Sequence, residues 1–312
     1  MDAVTGLLSG PRAQGAFLVR SILTAPWSIR IRDEAPLTII AILQGGGWLL
    51  PDRGEPVELR PGGVAIVRGP EHYTVADDPS TPPRVIIHPG QFSTTMDGDE
   101  LCEAMTLGPR TWGDTASGSV TMLTGTYQSP SEVSRLLLAA LPPVIVVTED
   151  GWDGRFLSLL SDEMRNEDPG QEVVLDRLLD LVLVDALRAW SARPDENAPG
   201  GHPFRDDAIV SAALRLIHDD PARSWTVASL ATGVGVSRAA LARRFTAVMG
   251  TPPMAYLTQW RLALAADLLR EPAATIASVA RQVGYSNAFA LSTAFKRIRG
   301  VSPRDHRLIT AG

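Results

Sequence analysis

The side chains best suited to chemistry in this chain are a set of hydrogen-bond donors near its C-terminal end. Ser237, Arg238, Ala239, Ala242, Arg243 and Thr246 follow one glycine-bearing corner, and Asn287, Ala288, Ser292, Thr293, Lys296 and Arg297 follow a second. An arginine fork matches guanine O6 and N7, lysine and arginine neutralise phosphate, and Ser, Thr and Asn bond to either. In the N-terminal half the pattern is sparse: His72, His88 and Trp48 are weak candidates for contacting a small ligand. Two histidines with no HxH pair do not make a divalent-metal site, so neither a metal nor a cofactor is expected. The single cysteine, Cys102, excludes an intramolecular disulfide, a CxxC pair and a multi-thiolate zinc site. With no second thiol to resolve a sulfenic acid, it reads as a small packing residue.

The elements that must hold the C-terminal donors show an internal repeat. Residues 226–231 read TVASLA and residues 275–280 read TIASVA, and Val234-Gly235 matches Val283-Gly284 at the same offset. One residue is then inserted, after which Ser237 matches Asn287, Leu241 matches Leu291, Phe245 matches Phe295 and Gly250 matches Gly300. Each copy has the grammar of a helix-turn-helix. A threonine caps a short helix, Ala231 or Ala280 permits a close crossing, and Gly235 or Gly284 supplies positive φ at the corner. Ser237 or Asn287 then caps the next helix, which buries residues at i and i+4. Between the copies, Thr251 is expected to cap a connecting helix, with Pro252 at its first position and Glu271-Pro272 at its end. Leu257, Trp260, Leu264 and Leu268 would form its apolar stripe. Such a rod, about 25 Å long at 1.5 Å per residue, could hold two recognition helices about 34 Å apart, one DNA turn.

Charge divides the chain in the same place. Residues 1–204 hold 15 Arg against 28 acidic side chains, and residues 205–312 hold 14 basic against 7 acidic, so the overall charge of -6 averages -13 and +7. A basic third on an acidic two-thirds suits a protein in which one domain meets a polyanion. The Pro- and Gly-rich stretch 191–205 reads as a linker between domains at 1–190 and 206–312. Upstream, AFLVRSIL, LTIIAILQ, GVAIVRG, RVIIH and SVTMLTGTY read as strands of a sandwich or barrel. Helical patterns follow at SEVSRLLLAAL, GWDGRFLSLLSDEMRN and Gln171 to Trp190. The last holds Val174, Leu175, Leu178, Leu181, Val182, Leu183 and Trp190, too many apolar faces for one barrel. Either it is sandwiched within one chain or it pairs with a second copy as a homodimer. No secretory leader or membrane span is read, so the expected location is cytoplasmic, with no membrane partner.

The residues LATGVGVSRAALARRF, GTPPMAYLTQWRLALAADLL and IASVARQVGYSNAFALSTAFKRIRGVSPRDHR resemble the AraC/XylS family of bacterial transcription regulators. The resemblance covers about Asp206 to Arg307. It implies two helix-turn-helix units joined by a long helix, with the first recognition helix doing most of the base reading through Arg238, Ala239, Ala242 and Arg243, of which Arg243 is the strongest choice for a bidentate guanine contact. The family often has Arg where Thr293 stands and a polar residue where Phe289 stands, which weakens guanine reading by the second helix. Phe289 is expected to pack inside, contact with a thymine methyl being the other option. Lys296, Arg297 and Arg299 fit phosphate, and Arg244 is expected to lie against the helical core. The N-terminal half, through APW at 25–27, GGGWLL, VELRPGGVAIVRGPEHYTV and LTGTY, more weakly resembles the cupin-like sensor that precedes this module.

The expected fold is α+β, a cupin-like β-barrel with a helical appendage ahead of an all-α domain. The resemblance implies a non-enzymatic regulator of promoter DNA, an activator contacting RNA polymerase and controlled by an unknown small-molecule effector. Two other readings remain: the barrel as a protein-interaction module, or as a cupin enzyme targeted by the helical domain.

Overall fold

Among the described residues, the N-terminal half contains thirteen strands: β1 (Phe17–Leu23), β2 (Ser28–Ile31), β3 (Leu37–Gln44), β4 (Gly47–Pro51), β5 (Val57–Leu59), β6 (Val64–Arg68), β7 (Tyr73–Ala76), β8 (Val85–Ile87), β9 (Ser93–Thr95), β10 (Thr106–Gly108), β11 (Thr111–Gly113), β12 (Val120–Tyr127) and β13 (Val144–Val147). The computed structural model describes residues 16–127, 141–192, 207–271 and 273–310. The helix expected at SEVSRLLLAAL and most of the linker at 191–205 lie outside the described residues. The chain divides into two compact units, one holding these strands and the other the C-terminal helices.

The strands form a seven-stranded sheet, ordered β10-β11-β1-β12-β3-β6-β13, and a six-stranded sheet, ordered β5-β4-β7-β2-β8-β9. Facing side chains close the space between them, with Trp27, Ile29, Ile40, Ile42, Leu49, Val67, Tyr73, Val75 and Met122 all buried in one cluster. The outer face of the larger sheet carries α1 (Arg155–Glu163) and α2 (Gln171–Ala192). Here the alternation of β12 matters. A Cβ on Gly125 would lie 2.4 Å from Leu179 Cδ1, so glycine is what allows α2 this close. Tyr127 Oη reinforces the contact by donating to Asp180 Oδ1 at 3.1 Å. Leu175, Leu179, Val182, Leu183, Ala186 and Leu187 of α2 are buried, whereas Val173, Val174 and Leu181 are exposed. The helix therefore covers the barrel with one face and leaves a second apolar face open.

The C-terminal unit contains α3 (Ala208–Asp219), α4 (Val227–Gly233), α5 (Arg238–Met249), α6 (Pro253–Leu268), α7 (Ile276–Gln282), α8 (Ala288–Arg299) and α9 (Pro303–Thr310). Thr226 caps α4 and Thr275 caps α7, each accepting a backbone N–H at 3.0 Å. Each cap has a second half beyond the expected threonine: the hydroxyl oxygens of Ser229 and Ser278 accept from the threonine N–H, closing a reciprocal box.

The connecting helix differs from expectation at both ends. Pro252 is its cap and Pro253 its first residue, and it stops at Leu268 rather than at Glu271. A proline has no N–H to lose at that position, so either one serves; the second has the helical φ/ψ. Nor is there a single apolar stripe. Tyr256, Leu257 and Trp260 are buried, with Tyr256 edge-on to Phe245 at 5.7 Å. Leu262, Ala265, Ala266 and Leu269 are instead buried with Val279, Leu291 and Phe295, while Leu264 and Leu268 are only partly covered. One rod thus packs its first half on the first unit and its second half on the second.

His218 is built into the first of these contacts, stacked 3.9 Å from Trp260 with Nε2 2.8 Å from Tyr256 Oη. Burial pushes its imidazole from 6.5 down to about 4. Below pH 6.5 the unfolded chain takes up a proton that the folded one refuses. The stabilisation is therefore complete above 6.5 and lost as pH falls toward 4, with a slope of at most about 1.4 kcal/mol per pH unit. Urea midpoints measured from pH 7 to pH 4.5 should fall along that slope, and His218→Gln should flatten it.

Candidate nucleic-acid interface

Each corner is set by a glycine in the left-handed region, Gly235 at φ 72° and Gly284 at φ 83°. Their surroundings differ. A Cβ on Gly235 would meet open space, whereas one on Gly284 would lie 2.7 Å from Ala222 O and 2.8 Å from Arg261 Nη2. Arg261, from α6, donates to the carbonyls of Pro221 at 2.7 Å and Arg223 at 2.8 Å. Its guanidinium also lies 6.0 Å from the Tyr285 ring centroid. One side chain therefore ties the loop ahead of α4 to the corner of the second unit. Gly235→Ala should cost about 1 kcal/mol for the backbone alone. Gly284→Ala should cost clearly more, because it also displaces the 221–223 loop; urea denaturation of the two variants compares them directly.

The helix after each corner is capped by its first candidate residue. Ser237 Oγ accepts from Ala240 N at 3.2 Å, and Asn287 Oδ1 accepts from Ala290 N at 2.9 Å. Leu241 and Phe245 of α5, like Leu291 and Phe295 of α8, are fully buried. The opposite faces are open. On α5, Arg238, Ala239, Arg243 and Thr246 are exposed and Ala242 is half-buried. On α8, Thr293, Lys296 and Arg297 are exposed, and Ala288 and Ser292 are half-buried. Ser292 Oγ donates to Ala288 O at 2.8 Å, so its proton serves the helix itself.

Three side chains depart from the sequence reading. Phe289 does not pack inside: it is 81% exposed, at the position in α8 that Ala239 holds in α5. The buried stripe is already filled by Leu291 and Phe295, and residue 289 falls on the other side of the turn. Arg244 does not lie along the core but pairs with Asp207, the cap of α3, at 3.6 Å. Arg299 is half-buried with its guanidinium 5.4 Å from the Phe295 ring centroid, which makes it a packing residue more than a phosphate donor.

In the N-terminal unit the barrel holds a cavity of about 410 Å³ that is partly open to solvent. Its lining comes from β1, β2, β12 and the segment around β10 and β11, including Ser21, Ile29, Tyr73, Met122, Thr126 and Cys102. His72, His88 and Trp48 are not in it. His88 turns to Thr94 Oγ1 at 2.9 Å and stacks on Phe92, and half-buried Trp48 alternates with Leu49, which takes the core side of β4. Cys102 is half-buried and its Sγ accepts from Ser93 N at 3.3 Å. Among the described residues no three His, Cys, Asp or Glu side chains converge as metal ligands, and no helix is long and apolar enough to cross a membrane.

A cupin family profile matches residues 2–192, and a helix-turn-helix domain profile matches residues 230–308. A protein of Streptomyces lividans described as an AraC-like transcription regulator is 31% identical over 312 residues, covering 98% of each chain. The chain belongs to the AraC-like transcription regulators. A second AraC-like relative, from Streptomyces antibioticus, is 30% identical with the same coverage. The transcriptional activator RclR of Escherichia coli, described as RCS-specific, is 27% identical over 98% of this chain and 97% of its own. In this regulator, then, α5 and α8 are the second helices of its two helix-turn-helix units, each with one face open to solvent.

Proposed function

We infer that the regulator is a sequence-specific activator in which 206–312 reads promoter DNA, 191–205 is a linker, and 1–190 senses a small molecule and forms a homodimer. What carries this reading is the pair of solvent-facing helix faces, each behind a capped corner, on the basic third of the chain. Arg238, Ala239, Ala242, Arg243 and Thr246 would contact one major groove. Asn287, Ala288, Phe289 and Thr293 would contact the next, with Lys296 and Arg297 on phosphate. The exposed Val173, Val174 and Leu181 of α2 support dimerisation, since an apolar face of this kind gains by being covered. Effector binding in the barrel would act by favouring one arrangement of the DNA-reading domains over another, with RNA polymerase as the downstream contact. The protein would act in the cytoplasm, without catalysis.

Selection of bound sequences from a random duplex pool, followed by footprinting, tests the reading. The expected result is a salt-sensitive preference and, for each copy, protection of two successive major grooves about 34 Å apart. Equal affinity for all duplexes would overturn it.

A further inference from the structure

The sensor reading above leaves the chemistry of the effector open, and the barrel cavity narrows it. On β12, Met122, Thr124 and Thr126 point into the cavity, while Gly125 between them faces α2. Thr126 is 1% exposed, and its Oγ1 has no hydrogen-bond partner among the described residues. A buried hydroxyl left unpaired costs about 1–3 kcal/mol, so this group gains from anything that enters the cavity and bonds to it. The two charged groups of the lining already have partners. Asp33 accepts from Gln91 Nε2 at 2.8 Å and from Ala35 N at 3.1 Å, and Arg110 faces Glu172 at 3.6 Å. Most of the remaining wall is apolar, formed by residues such as Val19, Ile29, Ile31, Ile87 and Trp112. A carboxylate placed inside would lose its hydration beside the Asp33 charge, with Arg110 already facing Glu172.

We propose that the cavity takes a largely apolar small molecule that carries no carboxylate and bears one hydroxyl or carbonyl, and that Thr126 Oγ1 recognises that polar group. At about 30 Å³ per water-sized group, the 410 Å³ space suits a ligand of about a dozen heavy atoms, such as a bicyclic ring. The threonine hydroxyl can donate or accept, so it serves an alcohol, a phenol or a ketone equally.

Calorimetric titration of the full chain with 2-naphthol, naphthalene and 2-naphthoate tests this directly. 2-Naphthol should bind about fivefold tighter than naphthalene, the factor for one hydrogen bond of about 1 kcal/mol, and at least tenfold tighter than 2-naphthoate. Thr126→Val, which keeps the shape, should erase the preference for 2-naphthol and leave naphthalene affinity unchanged; Thr126→Ser should retain the preference. Thr124→Phe, which fills the cavity, should abolish binding of all three probes. The proposal is overturned if the carboxylate binds best, if no probe binds, if Thr126→Val leaves the preference intact, or if Thr124→Phe still binds. Should the valine variant misfold, the serine and phenylalanine variants still decide. Footprinting the same preparation without probe separates the two readings. An intact footprint with failed probe binding removes only the cavity proposal, and selective probe binding without a footprint removes only the DNA reading.

Discussion

Replacing Arg243 with alanine is expected to flatten the regulator's preference at one base pair and leave its affinity for random duplex DNA nearly unchanged. Arg243 is exposed, and among the described residues it makes no hydrogen bond or ion pair that it would have to give up. It lies on one stripe of α5 with Ala239 and Thr246, at i, i+4 and i+7, opposite the buried Leu241 and Phe245. The small neighbours Ala239 and Ala242 let this part of the helix approach the groove floor, where a guanidinium can bridge guanine O6 and N7. Such a pair is worth about 1–3 kcal/mol of discrimination, roughly fivefold to 150-fold. Competition binding with single-position operator variants measures it. Arg243→Lys should not restore the preference, because a point charge lacks the planar fork. Arg297→Ala provides the contrast: binding should weaken on every sequence, with the salt slope falling by about one. A uniform loss from Arg243→Ala would place that side chain on phosphate and remove it from base reading.

The C-terminal unit was legible because its information is local. A helix-turn-helix spends about twenty consecutive residues on a cap, a small crossing residue, a corner glycine and a second cap, and this chain writes the set twice. The capping boxes were legible too, since Ser229 and Ser278 stand three residues after their threonines. Serine is a weaker signal there than the usual Glu or Gln. In the barrel, the long strands β1, β3 and β12 announced themselves as β-branched runs. β2, β5, β9, β10 and β11, at three or four residues each, become strands only through their neighbours. The cavity was out of reach for the same reason. Thr126 stands opposite Phe17 on one side and Thr38 on the other, a juxtaposition that depends on sheet register. Judged by residue type, His72, His88 and Trp48 drew attention, yet the polar atom left open in the cavity belongs to a threonine.

Phe289 turns the same lesson into a second expected result. Hydrophobicity argues for the core, but the i, i+4 pair Leu291 and Phe295 already fills it, and Phe289 stands at the start of α8 with its ring 81% exposed. With Thr293 and Lys296 it forms the outward stripe that matches Ala239, Arg243 and Thr246 one unit earlier. An aromatic ring there cannot donate to guanine, but it can cover a thymine 5-methyl group. Burying about 80 Å² of apolar surface at 25 cal/mol per Å² is worth about 2 kcal/mol. Phe289→Ala should therefore weaken operator binding by about thirtyfold while moving the urea midpoint hardly at all, since the ring supports nothing in the free protein. Uracil placed for thymine at successive positions of the second half-site identifies the partner. At one position the wild type should lose affinity and Phe289→Ala should be indifferent, so that the two losses do not add. Full additivity at every thymine would mean that the ring reads no methyl group. A large fall in stability would mean that it packs within the protein after all.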